Sequence, residues 1–252
     1  HHSEVELPES SQNIQSYVQN AVLSLLDEAT KENLDAMVIV PSPISALKVS
    51  DAESVGALDE HALLRWSANG KEMEVQHLIR NVRRTMLGHE EKTALHRTAV
   101  SHWEDIAESP DDFIHLLFHR IHAHSSDLVN HCNHAFNSLP SVNSGALSVL
   151  LEQAIEVEPN MPQLHYLAAK LALDRCESSY VHRHLAEIGE GSQRNEIEIG
   201  LFHLDGKIDE AEAAIEAALA SGSQLERNKI ALSSASRLLD DRLPGGSPVQ
   251  LK

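Results

Sequence analysis

Residues 201–211 read Leu201-Phe-His-Leu-Asp-Gly206-Lys-Ile-Asp-Glu-Ala211. An apolar helical stretch runs into Asp-Gly, and a second helical stretch begins at once. Glycine suits the left-handed residue that closes one helix before the next. The segment is one member of a series. Leu151, Val181 and Ala211 recur at intervals of 30 residues, and so do Ile155, Leu185 and Ile215. These positions fall in helical stretches at 150–157, 180–188 and 210–219, with partner helices near 163–173, 196–204 and 225–239. Turns at Glu158-Pro-Asn160, Gly189-Glu-Gly191, Asp205-Gly206 and Ser221-Gly222 separate them. A period near 30 built from helix pairs marks a stacked α-solenoid, because no single pair can bury its apolar face alone.

Composition agrees. The 252 residues include 38 Asp+Glu against 20 Lys+Arg, a net charge of -18, and only 4% aromatics. Half-buried strands favour aromatic and β-branched side chains, so a sandwich or barrel is disfavoured. The acidity repels phosphate backbones and argues against nucleic acid unless a local basic patch exists. The longest apolar run, Ala36 to Val40, is far too short for a membrane span. No secretory signal is visible, and two cysteines, Cys132 and Cys176, fit a reducing, cytoplasmic setting. His1 and His2 read as the end of an expression tag. Without an initiator Met, the chain reads as a piece of a longer protein.

Upstream of the repeats, Ile14, Val18, Val22, Leu25 and Leu26 form a helical stripe. A second short helix puts Leu34, Met37 and Val38 inward, and Pro41-Ser-Pro43 ends it. Residues 62–76 read as a β-hairpin turning at Asn69-Gly70, a type I′ signal requiring positive φ at both residues. Leu78, Ile79, Val82 and Met86 mark the next helix. Helices followed by a hairpin outline a winged helix. Further on, Leu95, Ala99, Trp103 and Ile106 share one face, and Pro110-Asp-Asp112 opens a helix carrying Phe113, Ile114, Leu117, Phe118 and Ile121. The expected fold is mainly α. It comprises a winged-helix-like module with a small β-hairpin at 11–88, linking helical hairpins at 89–143, a solenoid at 144–240 and a flexible tail at 241–252.

Two resemblances follow from these residues. Residues 146–240 resemble degenerate tetratricopeptide (TPR) repeats. Leu201 to Ala211 matches the helix–Gly–helix core, and Ala154-Ile-Glu-Val-Glu-Pro159-Asn matches the closing Pro, while the signature Trp and Tyr are missing. Most of the chain resembles the region after the nucleotide-binding domain of STAND-type (NB-ARC/NACHT-like) signalling ATPases. Val75-Gln76-His77-Leu78-Ile79-Arg80-Asn81-Val82-Arg83-Arg84 is similar to the family's V-H-x-L-(V/I)-x-x-V-x-R stretch. Glu90-Glu91-Lys92 followed by Leu95-His96-Arg97-Thr98-Ala99-Val100-Ser101-His102-Trp103 is similar to its L-H-R-x-A-x-x-x-W stretch. In that family the V-H histidine senses the nucleotide phosphates; here Gln76 stands at that place and a histidine, His77, comes one residue later, so the resemblance implies either that His77 is the sensor or that sensing is altered or lost. It also implies ATP or ADP in the longer protein. No G-x-x-x-x-G-K-[ST] occurs in this chain, so no ATP hydrolysis or cofactor is expected of it.

Three constellations could carry function. His115, His119 and His122 lie at spacings of four and three on one helical face, with His124, His131, Cys132 and His134 following. Such imidazoles could ligate zinc in a metal-dependent enzyme, or simply sit on a polar helix face. Arg80, Arg83, Arg84 and Arg97 form a basic patch that could meet phosphates or an acidic domain. On the inner helices of the repeats, Gln163, Tyr166, Lys170, Asn195, Glu198 and His203 are the candidates for a groove that takes a protein or peptide. No catalytic triad is supported. The expected function is the regulatory, sensing part of a STAND-type ATPase, which binds a protein ligand and relays to an upstream nucleotide-binding domain. The alternatives are a stand-alone helical adaptor and the metal-dependent enzyme.

Overall fold

The computed structural model describes residues 14–49 and 51–238, so the expected tail at 241–252 and the tag lie outside the described residues. The chain divides into two compact units that meet in sequence at Ser125 and Ser126.

The first unit opens with an irregular helical segment through Leu25. Helix α1 follows at Glu28–Val38, capped by Asp27, whose carboxylate accepts from the Thr30 amide at 2.8 Å. Leu34, Met37 and Val38 are buried, as their spacing predicts. Strand β1 (Ile44–Ser45), helix α2 (Ala52–Glu60), and strands β2 (Leu64–Trp66) and β3 (Glu72–Val75) then form an antiparallel sheet of order β1-β3-β2. Leu64 pairs with Val75, Trp66 with Met73, and Ile44 with Met73 from the other side. Along β3, Met73 and Val75 are buried while Glu72 and Glu74 turn away, the period-two pattern of a strand with one face on the core. Those two side chains join Leu34, Val38, Leu58 and Ile79 in one core.

The hairpin stands where the sequence places it, but its turn differs. Of the Asn-Gly pair only Gly70 has positive φ, at 66°. The Asn69 side-chain oxygen accepts from the Lys71 amide at 2.9 Å and the Ser67 hydroxyl at 2.7 Å. Those bonds hold a wider loop, so the type I′ geometry is not adopted. The strand β1 was not legible in the sequence, because two residues carry no periodicity.

Helix α3 (His77–Met86) follows the sheet. Helices α4 (His89–Ile106) and α5 (Pro110–His122) then pair as a hairpin. Ser109 and Asp112 cap α5 reciprocally, with Pro110 at its first position. Leu117, Phe118 and Ile121 are buried as expected, joined by Leu116, His115 and His119, while Phe113 is 40% exposed.

The second unit contains α6 (Leu128–Ser138), α7 (Ser144–Val157), α8 (Pro162–Asp174), α9 (Ser178–Leu185), α10 (Ser192–Leu204), α11 (Ile208–Ser221) and α12 (Gln224–Leu238). Helix α8 packs on α7, α9 and α10, and α10 on α9, α11 and α12, the nearest-neighbour pattern of stacked helix pairs. Leu151, Val181 and Ala211 are each 0% exposed, and Ile155, Leu185 and Ile215 are each half-buried, so the 30-residue period is a period of burial. The turns obey it too. Cys176 (φ 59°) and Gly206 (φ 73°) are both left-handed, and in each turn the following amide returns to a carbonyl five residues back, at 2.9 and 2.8 Å. The fold is therefore mainly α, a winged-helix-like module with a small sheet followed by a TPR-like solenoid.

Candidate functional site

Helices α8 and α10 lie side by side, and residues one repeat apart meet. The Gln163 side-chain oxygen accepts from Gln193 at 2.9 Å. The Tyr166 hydroxyl donates to Glu196 Oε2 at 2.8 Å. Lys170 Nζ lies 3.0 Å from Glu196 Oε1 and 3.3 Å from the Tyr166 oxygen, with its ammonium 5.5 Å from the centre of the tyrosine ring. Burial, and then the bond to the Glu196 carboxylate, push the Tyr166 hydroxyl above its ordinary pKa. Burial would lower Lys170, but Glu196 outweighs it and holds the lysine above its ordinary value, so the ammonium stays charged. Next to this network Arg194 bonds Glu198 at 2.9 Å and reaches the carbonyls of Leu185 and Ile188, both at 3.1 Å.

Of the residues the sequence assigned to a groove, Gln163, Tyr166 and Lys170 lie on α8 and Asn195 and Glu198 on α10; Tyr166 is 9% exposed and Asn195 half-buried. His203 is different: it is 2% exposed, inside the solenoid, so a groove ligand does not reach it. A helix face is only a few residues wide, and the turn of α10 carries position 203 away from the face of 195 and 198. Glu196 was missed. The signal was available, since 196 is 166 plus one 30-residue repeat.

The basic patch is partly consumed by the fold. Arg80 is 9% exposed; it donates to the Val40 carbonyl at 3.3 Å and lies 3.6 Å from Glu74. Arg83 makes a two-pronged bond to Asp35, at 2.5 and 2.7 Å, which raises its pKa further. Arg84 and Arg97 are exposed. Helix α2, just before the hairpin, exposes Glu53, Asp59 and Glu60, a face that repels phosphate. Gln76 is the N-cap residue of α3 and His77 its first residue; both are exposed, and the Gln76 amide side chain rests 3.5 Å from the Leu64 carbonyl.

The histidines of α5 do not lie on a polar face. His115 is 6% and His119 0% exposed. His115 stacks on Trp103 at 4.8 Å, and its Nε2 is 3.3 Å from the Ser42 hydroxyl. His119 Nδ1 is 2.9 Å from His96 Nδ1 on α4, and His122 stacks on His96 at 5.0 Å. His119 and His122 share His96 as a neighbour, while His115 faces Trp103 and Ser42. Among the described residues no group of three or more His, Cys, Asp or Glu side chains could hold a metal ion. Burial first, then neighbouring imidazoles, depress His96 to about 3 and His119 to about 2, so both stay neutral near pH 7. Cys132 is fully buried, and that burial pushes its thiol up to about 12, an inert core side chain.

No family model and no curated protein matches the chain. Among solved structures there is a distant likeness to a Signal Transduction ATPase with Numerous Domains (STAND) protein with a tetratricopeptide repeat sensor, from Pyrococcus horikoshii. The two are 14% identical with a TM-score of 0.38, over 94% of this chain and 44% of that one. This chain therefore spans less than half the length of that protein. No helix among the described residues is long and apolar enough to cross a membrane.

Proposed function

We propose that this chain is the regulatory and sensing region of a STAND-type ATPase. The winged-helix-like module holds a nucleotide-binding domain of the longer protein at rest. The repeats bind a protein or peptide segment, and that binding favours the released state. The observation that supports this reading is the order of parts in one chain: a three-stranded winged-helix-like module bearing Gln76 and His77, then helical repeats. On the repeats, Gln163, Lys170, Asn195 and Glu198 are the residues offered to the partner, with Glu196 and the buried Tyr166 holding Lys170 in place. Arg84 and Arg97 are available to the acidic surface of a neighbouring domain. Any ATP or ADP would be bound outside this chain.

The test is made on the longer protein. A P-loop motif should be encoded directly upstream of Ser11, and the purified protein should release bound ADP faster once Gln76 and His77 are both changed to Ala. An upstream region without a P-loop overturns the proposal, as does an ADP release rate indifferent to those substitutions.

A further inference from the structure

The second unit contains a run of hydrogen-bonding contacts short of one proton. His184 on α9 places Nε2 3.0 Å from Glu152 Oε1 on α7 and Nδ1 3.2 Å from Nδ1 of His165 on α8. His165 in turn places Nε2 3.4 Å from the Pro159 carbonyl, in the turn before α8. Both rings are largely buried, at 3% and 8% exposure, and the contact between them is buried. Each of the three contacts needs one proton between its two heavy atoms. Two neutral imidazoles carry one N–H each and supply two.

Which contact goes short follows from the acceptors. A carboxylate and a carbonyl can only accept. The Glu152 contact is the stronger, charge-assisted one, so it takes the Nε2 proton of His184. The guanidinium of Arg183, 3.5 Å from the same nitrogen, already bonds Glu152 and does not displace that proton. His184 Nδ1 is then a bare acceptor, and His165 must donate from Nδ1. His165 Nε2 is left with its lone pair facing the Pro159 oxygen, at the longest of the three distances.

We propose that this His165–His184–Glu152 chain is a single-proton switch, in which a proton arriving at His165 Nε2 closes the bond to Pro159 and completes the chain across α7, α8 and α9. Among the described residues, the charged groups in contact with His184 are Glu152 from α7 and Arg183 from α9. Burial holds His184 below its ordinary value against the pull of Glu152, with Arg183 and His165 adding to the depression. The added charge belongs to the hydrogen-bonded pair of rings, with Glu152 balancing it from α7. Closure ties the first turn of α8 to the 158–160 turn, and the next residue on that helix is Tyr166. A consequence for the groove rests on the partner reading above; the proton site does not.

The experiment is a long-range 1H–15N correlation of the histidine rings in the labelled full chain, from about pH 8 to about pH 5. At the alkaline end His184 should be the Nε2–H tautomer and His165 the Nδ1–H tautomer. On acidification the pair should gain one proton, leaving His165 Nε2 protonated while His184 keeps its Nε2 proton and circular dichroism is unchanged. Glu152→Gln should move the midpoint of the pair down by about one pH unit, a tenfold loss of proton affinity. His165 as the Nε2–H tautomer at high pH overturns the proposal. So does a pair of rings that takes up no proton until the helices melt, or a midpoint unmoved in a folded Glu152→Gln protein. If that variant does not fold, the tautomers and titration of the unaltered chain decide alone.

Discussion

Tyr166 and Glu196, one repeat apart, are joined by a hydrogen bond of 2.8 Å from the tyrosine hydroxyl to the carboxylate. The same carboxylate accepts Lys170 at 3.0 Å. Removing it leaves a largely buried hydroxyl and a half-buried ammonium without their acceptor, and an orphaned polar group costs more than its bond contributed. Glu196→Ala should destabilise the second unit by about 2 kcal/mol and Tyr166→Phe by about 1 kcal/mol in urea denaturation. A Glu196→Ala protein as stable as the parent would remove the network from the account.

Cys176 and Gly206 occupy the same left-handed turn position in successive repeats. A side chain there sets Cβ against the following carbonyl, a cost of about 1–2 kcal/mol that glycine avoids. Gly206→Ala should lower stability by about 1 kcal/mol, and Cys176→Gly should raise it by a similar or smaller amount, since contacts of the thiol are lost. Thermal melts of the two variants should shift in opposite directions.

Arg83 and Arg84 are neighbours in sequence with different tasks. Arg83 is held by Asp35 in a partly buried, two-pronged pair, whereas Arg84 is exposed. Arg83→Ala should cost about 2–3 kcal/mol, because Asp35 loses its counter-charge. Arg84→Ala should stay within about 0.5 kcal/mol. Equal effects would place Arg83 in solvent and contradict the pair.

Acid should weaken the first unit through the His96–His119 contact. Both are depressed in the folded state, to about 3 and about 2, against 6.5 when unfolded. The unfolded chain therefore binds protons first. Their contribution is complete above about pH 6.5 and is lost as pH falls through that value towards the folded values, at about 1.4 kcal/mol per pH unit for each ring. Replacing both, as His96→Leu with His119→Leu, should flatten the stability profile between about pH 6 and pH 4. An unchanged slope in the double variant would show that other groups set it.

The sequence disclosed what repeats and what alternates. The 30-residue spacing of Leu151, Val181 and Ala211 became a line of three fully buried side chains, and Met73 and Val75 turned inward as a strand requires. It disclosed less about polar residues, whose direction is not set by type. His119 and His203 were read outward, yet tertiary packing enclosed both. Asn69-Gly70 gave the hairpin its place, but bonds from Ser67 and Lys71 to the Asn69 side chain chose the turn.

What the sequence by itself determined is the helical class, the repeat and the hairpin. Those depend on local propensity and on the spacing of apolar residues, which any one segment carries within itself. Which polar groups meet was decided only by the tertiary structure. The pairs Tyr166 with Glu196, His165 with His184, His96 with His119 and Arg83 with Asp35 join residues 19 to 48 positions apart. Their energies arise from burial and from a partner on another helix, neither of which exists until the helices have packed.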